Sequence, residues 1–194
     1  MRTLLTVIFA LALTAPVAAQ HRLGHDPLNP KEADQLRDTA LEPVERLKLY
    51  VTFARARMTS IDQVLADPKA KDKAKQLHDL LEDFATLADE IADNVDTYHG
   101  EHWDIRKSLK LVIEADSEFK LKLRKLAESA ADPKLSAEAE PYKFVLQDAI
   151  ESLNNSADDA RHIMQEQNDL AKAKKLKKED DTEGRSPSPS VPQN

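Results

Sequence analysis

Two histidines and two carboxylates fall within the six residues His99-Gly100-Glu101-His102-Trp103-Asp104. Imidazole and carboxylate groups both ligate Zn²⁺ and Cu²⁺, so His99, Glu101, His102 and Asp104 form a candidate metal site at an exposed corner. The same residues suit an ordinary turn between helices. Gly100 would end one helix, and the acids would favour the start of the next. Ligand type alone does not fix a coordination geometry, so the turn comes first and the metal second.

The other candidate is an acid on an apolar stripe. Asp116 stands in the series Ile105, Leu109, Val112, Asp116, Phe119, Leu123 and Leu126, spaced by threes and fours. An ionised carboxylate on such a stripe is costly unless paired. Arg55 or Arg57 could supply the charge, and Ser156 a hydrogen bond. The expectation is a buried, Arg-paired Asp116 that sets register, as polar groups do in coiled coils. A catalytic core site around Asp116 is the less favoured alternative.

Other chemistries are excluded more firmly. With no cysteine there is no thiolate metal site, disulfide or thiol nucleophile. Glycine occurs only at Gly24, Gly100 and Gly184, which leaves no glycine-rich phosphate loop. Asp96-x-x-His99 and Asp159-x-x-His162 approach the Glu-x-x-His pattern of di-metal bundles. Counting along the helices separates those two histidines by roughly 10–15 Å, which argues against shared ligation. Met58 and His162 are about 15 Å apart on the same count, too far for a haem pair. No Ser-His-acid set sits in a nucleophile elbow. No catalytic residue and no cofactor is assigned, with Zn or Cu kept as the alternative. A net charge of −7 argues against a general nucleic-acid binder.

Four long amphipathic helices must position these groups. The first seam is Val44, Leu47, Val51, Ala54, Met58, Ile61 and Leu65, stopped by Asp67-Pro68. The second is Leu77, Leu80, Phe84, Leu87, Ile91, Asn94 and Tyr98, from about residue 69. The third contains Asp116. The fourth runs from Tyr142 through Leu146, Ala149, Leu153, Ser156, Ala160, Ile163 and Gln167 to Leu170. A period near 3.5 with short connections predicts an all-α, antiparallel up-down four-helix bundle, which two αα-hairpins would also build. Counting from the midpoints places Ala54, Phe84, Asp116 and Ser156 in one layer. The first and third helices are basic and the second acidic, which suggests that the second packs between them. A 62-residue shift aligns the seams and hints at a duplicated hairpin.

Residues 1–19 have the form of a secretory signal peptide: Arg2, an apolar run from Leu4 to Leu13, and small residues at Val17 and Ala19. The run is too short for a membrane span of about 20 residues. Its removal takes away one charge, Arg2, and leaves 175 residues with net charge −8. Residues 20–42 form an arm with a short helix near 31–41, begun at Asn29-Pro30. Residues 43–175 form the bundle. Residues 176–194, Lys-rich, then acidic, then Ser-Pro, read as a disordered tail. The sequence thus predicts an exported, non-enzymatic protein, periplasmic or extracellular. It would bind an unidentified protein partner as a scaffold or chaperone-like module, without nucleic acid and without a membrane span once the signal is removed.

Overall fold

The computed structural model describes residues 25–183, with side chains as far as Glu179. The expected signal segment at 1–19 and the last eleven residues of the expected tail lie outside the described residues. Asn29 begins α1 (Pro30–Asp38) through a reciprocal cap: its side chain accepts from the Glu32 N–H at 3.0 Å, and Glu32 accepts from the Asn29 N–H at 3.0 Å. α2 (Pro43–Ala66) stops at Asp67-Pro68. The next helix starts four residues later than its apolar spacing suggests. Asp67 accepts from the Lys69 N–H at 2.8 Å to form a turn, and Asp72 takes a left-handed φ of 48°.

α3 (Lys73–Gly100) then leads to α4 (Arg106–Ala130) through a short turn. Gly100 does not supply the left-handed residue of that turn. It is the last helical residue, and His102 takes the positive φ of 63° instead. A longer connection follows, with α5 (Ser136–Ala139) and a 3₁₀ turn (Glu140–Tyr142). The final helix, α6 (Lys143–Glu183), runs past the expected boundary at residue 175.

The long helices pack as two antiparallel hairpins, α2/α3 and α4/α6, laid side by side. Arg46 meets Asn94, Tyr50 meets Glu90 and Arg57 meets Asp83, which fixes the antiparallel register of the first hairpin. Ile105 meets Gln167 in the second. Between hairpins, α2 runs parallel to α4 through Arg55–Glu118 (3.0 Å) and Asp62–Lys122 (2.7 Å). α3 packs on α2 and α6, while α4 sits at the diagonal corner. The acidic helix therefore does not lie between the two basic ones. α3 and α4 meet across the centre through Phe84 and Phe119, edge to face with centroids 5.2 Å apart.

The 62-residue repeat is not kept in the packing. Shifting the first hairpin by 62 would set Ile105 opposite Asp159, but it lies opposite Gln167. The difference is about two helical turns. The longer connection through α5 frees α6 to take this register.

The core takes in nearly all of the predicted seams, from Leu47 and Ala54 through Phe84 and Leu109 to Leu153 and Ile163. The seam ends Leu65 and Leu170 are exposed. Arg57 pins the N-terminal arm to this core. Its guanidinium donates to both Glu32 oxygens (2.9 and 2.6 Å) and to the Pro27 carbonyl, and lies 3.5 Å from Asp83.

Candidate functional site

Asp116 is 3% exposed, as the stripe predicts. Counting eleven residues along α4 from Ile105, and eleven back along α6 from Gln167, puts Asp116 level with Ser156. The expected arginine pairing is not made. Arg55 binds Glu118 and covers the Phe119 ring at 5.8 Å, while Arg57 is engaged by Glu32 and Asp83. The reason is helical phase. Residues 116 and 118 point about 200° apart, and it is 118 that faces α2.

Asp116 Oδ2 is buried without a hydrogen-bond partner, and so is Asn154 Oδ1. Ser156, buried at the same height, does not satisfy that oxygen. Burial pushes the Asp116 carboxyl up to about 7, against the opposing pull of Arg161 and Lys120. Asp116 lines neither the cleft beside the turn between α3 and α4 nor those around α5.

At the other candidate, the turn residues are divided among separate partners. Glu101 accepts from the Trp103 indole N–H at 3.0 Å. Asp104 binds Arg106 through two bonds of 2.8 and 2.6 Å, which hold its carboxyl down at about 2. His99 Nε2 lies 3.1 Å from Glu166 Oε2 on α6, whereas His102 is the left-handed residue of the turn. Among the described residues, no three His, Asp or Glu side chains converge as metal ligands. His99, Glu101, His102 and Asp104 therefore share the turn, with Glu101, Asp104 and His99 each turned to a different partner.

Two features of this end escape sequence reasoning. First, Glu166 joins the two histidines that axial counting had separated, because His162 Nδ1 also approaches it, at 3.8 Å. The side chains bridge the axial gap that a count of backbone rise leaves open. The His162-x-x-x-Glu166 spacing was the available signal. Second, Gln167 clasps the turn to α6: its amide donates to the Trp103 carbonyl (2.8 Å) and accepts from the Ile105 N–H (3.1 Å).

A cleft of about 420 Å³ lies between this turn and α6. Trp103, His102 and Arg106 form one side, and Leu170, Ala171 and Lys174 the other. Trp103 is 48% exposed and Leu170 59%, far more than an indole and a seam leucine within a closed bundle. Two clefts of about 410 and 460 Å³ flank α5 at the opposite end, without an exposed tryptophan or a projecting helix. Comparison with protein families, with curated proteins and with solved structures finds no match to this chain.

Proposed function

We propose that this chain is an exported, non-enzymatic helical-bundle protein that binds another protein at the end of the bundle where α6 outruns its neighbours. One observation carries the proposal: half-exposed Trp103 and exposed Leu170 and Leu176 are gathered around a helix segment with no partner helix among the described residues. A half-exposed tryptophan is a usual anchor of protein contacts, and a contiguous exposed apolar patch beside it marks an interaction surface. The Zn or Cu alternative is weaker. Its carboxylates are already held by Trp103 and Arg106.

Export rests on residues 1–19, and no helix among the described residues is long and apolar enough to cross a membrane. The intact mass of the chain purified from its source should begin at Gln20; an unprocessed Met1 would defeat the export reading. For binding, a photo-reactive residue placed at 170 should give one discrete protein adduct in cells, and one placed at Lys48 on the far side of α2 should not. Equal labelling at both positions, or none at 170, would defeat the binding reading.

A further inference from the structure

Beyond Gln167, α6 continues to Glu183, a rise of about 24 Å at 1.5 Å per residue. Residues 172–179 are all exposed. Leu170, Ala173 and Leu176 follow one another at intervals of three, a stripe that winds about 120° around this segment from the cleft outward, and the two leucines are 59% and 63% exposed. Around the stripe stand Lys172, Lys174, Lys175, Lys177 and Lys178. Residues 168–179 hold five lysines against Asp169 and Glu179, in a chain whose net charge is −7. Lys172 pairs with Asp169 at 3.3 Å and Lys175 with Glu179 at 3.8 Å, contacts in full solvent that hold little energy. Lys174 and Lys177 enter no ion pair among the described residues. At its base the stripe runs into the 420 Å³ cleft beside Trp103.

A bare apolar stripe with positive flanks is half of a helix pair. We infer that α6 beyond Gln167, together with the Trp103 cleft, is a docking groove for an acidic amphipathic helix of a protein partner. The partner's apolar side chains lie along Leu170, Ala173 and Leu176, and one of them enters the cleft against Trp103. Its carboxylates face Lys174 and Lys177. This is the helix-in-groove mode of recognition, with charge selecting the partner.

Other occupants fit less well. A membrane surface is flat and cannot fill the cleft, and two leucines give a shallow hold where interfacial helices use a broad apolar face. A second copy of this chain has an acidic helix in α3, but the apolar face of that helix is spent in its own core. The inference rests on the protein-binding reading above and adds the partner's chemistry to it.

The test uses the full chain and two fluorescein-labelled helical peptides, read by anisotropy. Both peptides carry leucine at intervals of three and four; one has glutamate at the flanking positions and the other lysine. The acidic peptide should bind and the basic one should not, and binding should weaken as added salt shortens the screening length. Lys174→Glu combined with Lys177→Glu should weaken the acidic peptide at least tenfold and admit the basic one. Trp103→Ala should weaken it about tenfold, as anchor truncations do, with the melting temperature unchanged. Equal binding of both peptides, no effect of the double charge reversal, or tighter binding to vesicles of anionic phospholipid would overturn the inference. A discrete adduct at position 170 without peptide selectivity would sink the acidic-helix inference and leave the protein-binding reading standing. Loss of both would sink the two together.

Discussion

Asp116→Asn should make this protein more stable at pH 8 and leave it nearly unchanged at pH 4. The substitution keeps size and shape and removes only the capacity to ionise. Asp116 is buried, one of its oxygens has no hydrogen-bond partner, and its carboxyl is pushed from 3.8 up to about 7. In the unfolded chain the acid loses its proton near pH 4; in the folded chain it keeps that proton to about pH 7. The folded state therefore binds more protons across this interval, and stability contributed by the neutral acid is lost as pH rises from about 4 to about 7. At 1.36 kcal/mol per pH unit, the full effect above pH 7 is about 4 kcal/mol. Relaxation around the charge, with Arg161 and Lys120 nearby, reduces the expected gain for the variant to about 2–4 kcal/mol. That is a rise of about 5–12 °C in melting temperature for a chain of this size.

The assay is thermal unfolding followed by circular dichroism at half-unit steps from pH 4 to pH 8, with variant and wild type side by side. The difference between the two curves is the informative quantity. Glu32, Asp79 and Asp104 have lowered pKa values and impose the opposite slope on both proteins. A difference that stays flat across the range would refute the account of Asp116 as an unpaired buried acid. So would a variant less stable than wild type at pH 8.

Four further outcomes follow from particular contacts and backbone angles. Arg57→Met leaves Glu32 and Asp83 without their shared cation and should cost about 3 kcal/mol in chemical denaturation, with faster proteolysis around Pro27 as the arm comes loose. Gln167→Ala removes both bonds of the clasp and strands the buried Ile105 N–H, a loss of about 1–3 kcal/mol accompanied by a red shift of Trp103 emission. His102→Gly should stabilise by about 1 kcal/mol, because the left-handed backbone at φ 63° is free of strain only for glycine. Gly100→Ala should also stabilise, by up to about 1 kcal/mol, since Gly100 is helical and an added Cβ meets nothing within 4 Å; destabilisation by either change would contradict the turn geometry.

Burial of the helices was legible because it depends on periodicity. A side chain every three or four residues defines a face whatever it later packs on, so Leu47, Phe84, Leu109 and Leu153 could be placed in the core without a partner in view. Asp116 was found the same way, as a member of a stripe. Its pairing was not legible, because which arginine faces it depends on the rotation of α4 against α2. The turn tells a similar story. Its ligand types were visible in sequence, yet Trp103 and Arg106 took the two carboxylates, and Glu166 reached His99 from another helix.

Local patterning and capping by themselves determined the helical class, the Asn29 start, the Asp-Pro stop after α2 and the burial of Asp116. These need only neighbours along the chain. Tertiary structure alone decided the diagonal placement of α3 and α4, the two-turn slip of α6 and the open cleft beside Trp103. Each depends on the relative phase and register of helices far apart in sequence, and a period of 3.5 is satisfied equally well in several registers. The overhang proposed for a partner exists because α6 is longer than its neighbours and continues past Gln167 to Glu183. That length carries α6 past the ends of α3 and α4, where nothing among the described residues covers Leu170 and Leu176.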